Sequence, residues 1–226
     1  MEQSLPIYDR LLELPLFQGH SREDLTTILT HIKVDFRSFR KGHTIVKQDQ
    51  PCRNIIFIID GEVTTSRNSP HNELLFSEFF TAPNAFGVDS LFGLRQNHNH
   101  TITANSEVRT LVISKQNVIS HLFPYEVFRY NLINMLTTRL QRQDRMLWAT
   151  EEEYITKRFI LLCKRNFMYH GGNKQIEGGM VQLAQMMNES RIHVSNMLND
   201  LEQRGLIVLG RKKIVIPHLE NLIQNA

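Results

Sequence analysis

Seven residues within ten positions could read the edges of DNA bases: Ser190, Arg191, Ile192, His193, Ser195, Asn196 and Asn199. Asparagine pairs bidentately with adenine, isoleucine sits against a thymine methyl, and arginine reaches guanine or phosphate. Small uncharged hydrogen-bonding groups solvate a surface poorly. They suit a surface that meets base edges.

These residues need a rigid support, and the surrounding pattern supplies one. The stretch VQLAQMMNESRIHVSNMLNDLEQRGL, Val181 to Leu206, reads as two helices joined by a tight turn. Leu183, Ala184 and Met187 mark one face of the first helix. Val194, Leu198 and Leu201 mark an i, i+4, i+7 stripe on the second. Asn188 makes the turn, Ser190 caps the second helix, and Gly205 stops it. This outline is a helix-turn-helix, whose second helix enters the major groove. The plainer alternative is a helical hairpin packed into a core. Beyond Gly205, Leu206–Gly210 and Lys213–Pro217 read as two strands of a wing around Arg211 and Lys212. Arg211, Lys212 and Lys213 are candidate phosphate contacts, against a reading as a solvated turn.

Composition narrows the class. The chain has 226 residues, enough for one large domain or two small ones. No apolar run approaches the roughly 20 residues that cross a bilayer. The start, MEQSLPIYDR, lacks the basic and apolar parts of a secretory signal, which points to the cytoplasm and away from membranes. The two cysteines, Cys52 and Cys163, lie far apart and read as free thiols. A cysteine-held zinc or iron–sulfur site would usually need four, so no metal site is assigned. From Tyr154 onward there are ten Lys and Arg against five Asp and Glu; before it, sixteen against eighteen. A basic C-terminal part fits a domain that meets phosphate.

Toward the N-terminus the periodicity changes. Ile7–Leu16 reads as a short helix ended by proline, and Ser21 caps a second helix through His31. From Lys33 to Ser114 come short runs such as TIVKQ, IIFIID, EVTTS, ELLFSEFF, HTITA and VRTLVIS. Such spacing predicts an antiparallel sandwich or barrel. A long helix from about Tyr125 to Met146 or beyond carries Phe128, Leu132, Met135, Leu136, Leu140 and Leu147, near a two-helix packing period. It needs a partner surface, either its own β domain or a second copy. Glu151–Glu153 reads as a hinge, followed by a helix at Ile155–Phe167.

This order of parts resembles the Crp/Fnr transcription regulators along nearly the whole chain. LFQGHSREDL resembles the family's N-terminal helical entry, and FRKGHTIVKQDQPCRNIIFIIDGEV its first β-roll repeats. FGVDSLF followed by HTITANSEV is similar to the cassette that holds a cyclic nucleotide's phosphate. LAQMMNESRIHVSNMLNDLEQRGLI is similar to its helix-turn-helix. The resemblance implies an α+β chain: a β-roll sensor over 1–122, a long dimerisation helix over 123–150, and a winged helix-turn-helix over 151–226. It implies no enzyme. It implies a homodimer that binds a pseudo-palindromic site on double-stranded DNA, with RNA polymerase as a further partner.

The departures bear on the signal. In members that bind cyclic AMP, glutamate follows the cassette glycine and holds the ribose. Eleven positions after that glycine, an arginine neutralises the phosphate. Here Val88 follows Gly87, and His98 holds the arginine position. Valine accepts no ribose hydrogen bond, and histidine substitutes poorly for a guanidinium. Gln143 and Asp144 stand where the cyclic-AMP binder has a threonine-serine pair, and Asp144 would repel phosphate. Cyclic AMP is therefore not expected as the effector. The effector-pocket candidates are Phe86, Gly87, Val88, Asp89, His98, Asn99, His100, Gln143 and Asp144, for an unknown small molecule. The cysteine-bound iron–sulfur reading fails on cysteine count. Haem is the alternative cofactor, with His98, His100 or distant Met146 as axial ligands; the plainer reading makes the histidines polar loop residues. The recognition helix departs too. The cyclic-AMP receptor begins this helix Ser-Arg-Glu, with an arginine four residues after the glutamate; here Ile192 and Asn196 stand at those places, implying a different target site. Two rivals are an adaptor that binds a ligand without touching DNA, and an enzyme. The first lacks an intact cassette, and the second lacks a nucleophile elbow, HExxH or P-loop.

Overall fold

The computed structural model describes residues 7–32, 34–69, 73–147 and 154–226. The hinge expected at Glu151–Glu153 lies outside them. The chain forms two compact units, each built from two segments. Met1–Val63 and Phe80–Arg142 form the first; Thr64–Phe79 and Gln143–Ala226 form the second.

The first unit opens with α1 (Ile7–Leu12), a 3-10 turn at Pro15–Phe17, and α2 (Arg22–His31). The start of α2 is fixed by a reciprocal cap. Ser21 Oγ accepts the Asp24 N–H at 3.0 Å, and the Asp24 carboxylate accepts the Ser21 N–H at 3.0 Å. Along the chain eight strands follow, of which β4 and β5 fall mostly in the second unit: β1 (Asp35–Phe39), β2 (Thr44–Val46), β3 (Asn54–Asp60), β4 (Glu62–Asn68), β5 (Leu74–Thr81), β6 (Asn84–Phe86), β7 (Thr101–Ala104) and β8 (Val108–Ser114). A four-stranded antiparallel sheet runs β1-β8-β3-β6. Strand β2 pairs with β7, outside this four-stranded sheet.

Strand β3 explains why the sequence IIFIID is a continuous apolar run. Its alternate residues enter different cores. Ile55, Phe57 and Ile59 join the helices in one core, with Leu111 and Ile113 of β8. Ile56 and Ile58 face the other, with Phe86, Ile102, Val108 and Val112. Buried on both sides, the strand has no polar face to show.

After β8 come α3 (Lys115–Asn117), a π turn (Val118–Leu122) and the long helix α4 (Glu126–Leu147). At 1.5 Å per residue, α4 is about 33 Å long. Its beginning is tied to the N-terminal turn: Asn131 Nδ2 donates to the carbonyls of Leu16 (3.2 Å) and Gln18 (2.8 Å). Phe128 and Leu132 are buried in the first unit's core. Each such residue contributes about 1.5–3 kcal/mol by burial.

The second unit holds α5 (Ile155–Asn166), β9 (Lys174–Gly178), α6 (Met180–Met186), α7 (Arg191–Gln203), β10 (Val208–Gly210), β11 (Lys213–Ile216) and α8 (Leu219–Asn225). The wing hairpin β10-β11 pairs onward to β9, all antiparallel. Phe159, Cys163, Leu183, Val194, Leu198, Leu201, Ile214 and Ile216 share one core. Cys163 is fully enclosed there, and burial pushes its thiol up. Leu74 and Phe76 of β5 belong to the same core.

Among the described residues, several elements escape the sequence patterns, including α3 and the π turn after β8. Strands β1 and β6 fall within the β-rich span without a signal of their own. In β9, LysGlnIleGluGly carries one apolar residue and ends at a glycine, and most of its stabilisation comes from distant partners. Helix α8 is short, and its buried Leu219 and Leu222 follow the wing without a clear period.

Candidate DNA-binding surface and effector pocket

The helix that carries the expected base-reading residues is α7. Ser190 stands at its start with extended backbone, and its Oγ accepts the His193 N–H at 3.1 Å. Asn188 takes φ 51°, the left-handed conformation that sharpens the turn from α6. Glu189 fastens that turn. Its carboxylate accepts the Ser190 N–H at 3.0 Å, faces His193 Nδ1 at 3.1 Å, and forms an ion pair with Arg158 of α5. The Ser190 backbone bond first, then His193 and Arg158, holds the Glu189 carboxyl below the usual carboxylate range.

Packing divides α7 into two faces. Val194, Met197, Leu198 and Leu201 are buried. Arg191, Ile192, His193, Asn196 and Asn199 are exposed, and Ser195 is half-buried. Ile192 is 70% exposed, although an apolar residue of this size ordinarily finds a core. The groups expected to read bases therefore stand on one side of a helix whose other side is locked in place. The wing presents Arg211, Lys212 and Lys213, all exposed. Lys212 takes φ 55° in the two-residue turn, and its carbonyl accepts the Gly178 N–H at 3.0 Å.

The pocket candidates gather around Gly87. Its φ of 87° and its surroundings both require glycine: a Cβ would lie 2.7 Å from the Asn54 carbonyl oxygen and 3.1 Å from Cys52 Sγ. Phe86 and Val88 are buried. His98 is buried rather than displayed on a loop. Its backbone donates to the Gln50 carbonyl and accepts from the Asp49 N–H, both at 2.8 Å. Burial pushes its imidazole down, against a smaller opposing effect of Asp89. Asn99 Nδ2 donates to Ser90 Oγ at 3.3 Å, and His100 is half-buried. Gln143 and Asp144 are exposed and fall in the second unit.

Two neighbours had no sequence signal. Cys52 Sγ donates to the Gly87 carbonyl at 3.5 Å, and burial pushes its thiol up. Arg139 of α4 reaches Asp89 with 3.3 Å between Nη1 and Oδ2. The two lie 50 residues apart, and only the folded helix brings them together.

Along α4, the residues expected to meet a second copy separate by face. Phe128 and Leu132 turn inward, and Met135 and Leu136 pack partly against the same core. Leu140 is 64% exposed. Tyr130 and Ile133, not singled out by the sequence pattern, are also exposed and share its side of the helix.

Two family models match the chain. The cyclic nucleotide-binding domain matches residues 36–123, and the Crp-like helix-turn-helix domain matches residues 158–224. The chain belongs to the Crp/Fnr family. The CRP-like cAMP-activated global transcriptional regulator of Mycobacterium tuberculosis is 26% identical over 220 residues, covering 93% of this chain and 96% of that protein. The catabolite activator protein of Thermus thermophilus has a similar fold, with TM-score 0.55, 20% identity, and coverage of 92% of this chain and 97% of that one. A c-di-GMP responsive global regulator of Xanthomonas campestris follows at TM-score 0.50 and 17% identity, covering 87% and 99%.

As a Crp-like transcription regulator, the chain couples a β-roll of the cyclic-nucleotide-binding type to a helix-turn-helix DNA-binding domain. The family consists of transcription regulators rather than enzymes. Among the described residues, no helix is long and apolar enough to cross a membrane, and no group of three or more His, Cys, Asp or Glu could hold a metal.

Proposed function

We propose that this Crp/Fnr protein is a dimeric, cytoplasmic transcription regulator that binds a pseudo-palindromic DNA site and answers a signal other than cyclic AMP. The observation that carries the DNA reading is the split of α7: Arg191, Ile192, His193, Asn196 and Asn199 exposed, with the opposite face locked in the core. Arg211, Lys212 and Lys213 on the wing supply phosphate contacts. RNA polymerase is the expected partner at promoters.

The dimer reading rests on α4. Tyr130, Ile133 and Leu140 form an exposed apolar stripe at spacings of three and seven, with Thr137 between them. Such a stripe matches the seam of two paired helices. Phe128 and Leu132 then serve the fold within one protomer, while the stripe serves the pair.

The effector reading rests on the Gly87 group. Val88 is buried and offers no acceptor to a ribose. Burial keeps His98 neutral near pH 7, so it supplies no fixed charge to a phosphate. Arg139 is already engaged by Asp89, whose carboxylate would itself repel a cyclic phosphate. The relatives named above respond to cAMP in one case and c-di-GMP in another, so effector chemistry varies across this fold.

Calorimetric titration with cyclic AMP, alongside fluorescence titration of a labelled duplex over a salt series, tests both parts. The reading expects no heat of cyclic-AMP binding and a DNA affinity that falls steeply with salt. Micromolar cyclic-AMP binding would overturn the effector reading. DNA affinity absent or insensitive to salt would overturn the regulator.

A further inference from the structure

Residues 64–79 lie inside the stretch matched by the cyclic nucleotide-binding model, yet they fold as part of the second unit. The chain leaves the first unit after Val63 and re-enters it at Phe80, so this hairpin excursion is joined to the first unit at both ends. Its tip is closed by the Ser69 N–H donating to the Leu74 carbonyl (2.8 Å) and the Leu74 N–H donating to Ser69 Oγ (2.9 Å).

Strand β5 adds itself to the edge of the DNA-binding sheet. It pairs with β9 through five residues, from Leu74 opposite Gly178 to Glu78 opposite Lys174. Leu74 and Phe76 enter the DNA-binding core, and Phe76 meets Phe167 edge-on at 5.6 Å. Gly178 is shaped for this strand. A Cβ there would lie 2.3 Å from Leu74 Cδ2 and 2.8 Å from the Glu73 carbonyl oxygen.

The far end of the pairing is an ion pair sealed from water. Lys174 Nζ lies 2.9 Å from Glu78 Oε2, and both side chains are 2% exposed. The same carboxylate accepts the backbone N–H groups of Met168 (2.6 Å) and Tyr169 (3.2 Å). A carboxylate and an ammonium withdrawn from water stabilise each other, and the Phe167 ring lies beside the Lys174 ammonium.

From β9 the contact continues to the wing. Strand β9 pairs with β11 through four residues. Gly178, opposite Leu74 of the hairpin, donates its N–H to the carbonyl of Lys212 at the wing tip. We propose that the β4-β5 hairpin is a detachable strand of the DNA-binding sheet, latched by Glu78 and Lys174, and that its docking sets the wing for phosphate contact. A change in the first unit reaches the wing by pulling on the hairpin at its two joins. Glu78, Lys174 and Gly178 are positioning residues that touch no DNA. The proposal deepens the regulator reading and rests on it.

Hydrogen exchange by mass spectrometry on the full chain tests the latch, with Gly178→Ala and Glu78→Gln as separate variants. In each, amides of β5 and β9 should exchange together at least about tenfold faster, while α4 and α7 keep wild-type protection. Affinity for a fluorescein-labelled mixed-sequence duplex in low salt should fall at least about fivefold in both. Exchange of β5 and β9 that stays at wild-type rates, or changes in one strand without the other, overturns the latch. So does accelerated exchange with unchanged DNA affinity. If the wild-type protein binds no duplex, the regulator reading fails by itself, and the exchange of β5 and β9 still decides whether the strand detaches.

Discussion

Arg191, Asn196 and Ile192 differ from their neighbours on α7 in what surrounds them rather than in type alone. Asn196 is exposed one residue from buried Met197, so its amide is presented by a fixed backbone. Replacing Arg191 or Asn196 with alanine is expected to cost about 1–3 kcal/mol of discrimination between sites. Competition titrations with cognate and base-substituted duplexes check this; wild-type preference in either variant would remove that residue from base reading. His98 makes a different forecast. Burial pushes its imidazole below the ordinary value of 6.5. The unfolded chain then binds the proton more readily, so this contribution to stability is present above 6.5 and is lost as pH falls toward the folded value. His20, buried beside Tyr125 and also pushed down by burial, acts in the same sense. Denaturant titrations from pH 7 to pH 5 should show falling stability, with a shallower fall in His98→Gln. An unchanged slope would mean that His98 does not titrate on unfolding. The sequence made the α7 side chains legible because a helix of known start fixes their directions. It left Arg139 and Cys52 unread, since their partners Asp89 and Gly87 are far away along the chain and no local period connects them.

Elements were legible wherever one local rule governed them. The reciprocal cap at Ser21 and Asp24, the positive-φ turn at Asn188 and the double-sided strand IIFIID all follow from residues within a few positions. Strand β9 was not legible, because its neighbours β5 and β11 supply its order. The same cause hid the helix faces of α4: Phe128 and Leu132 share a period with Leu140, but the β-roll claims the first two. The buried pair on β9 gives the element-scale test. Lys174→Met removes the only ammonium bonded to Glu78 among the described contacts and leaves a carboxylate held by two backbone N–H groups. Breaking such a pair costs about 3–5 kcal/mol. Chemical denaturation of the full chain should show a loss of that size; a loss below about 1 kcal/mol would place the pair in the range of exposed salt bridges.

At the scale of the whole molecule, the proposed dimer carries a sensor unit and a DNA-binding unit in each copy. The exposed stripe Tyr130, Ile133 and Leu140 lies on the side of α4 that its own core leaves open. Leu140→Arg or Ile133→Glu should shift sedimentation equilibrium from dimer toward monomer without unfolding either unit, because neither side chain supports the core. A variant that keeps wild-type mass would move the dimer contact elsewhere. Two recognition helices related by a two-fold axis must meet successive major grooves about 34 Å apart. Affinity selection of fragmented genomic DNA on the purified protein, followed by sequencing, tests this most directly. The account expects fragments sharing an inverted repeat with half-site centres one helical turn apart. Enrichment of a single unrepeated site would contradict the dimer, and no enrichment at moderate salt, with or without added cell extract, would contradict sequence-specific regulation itself.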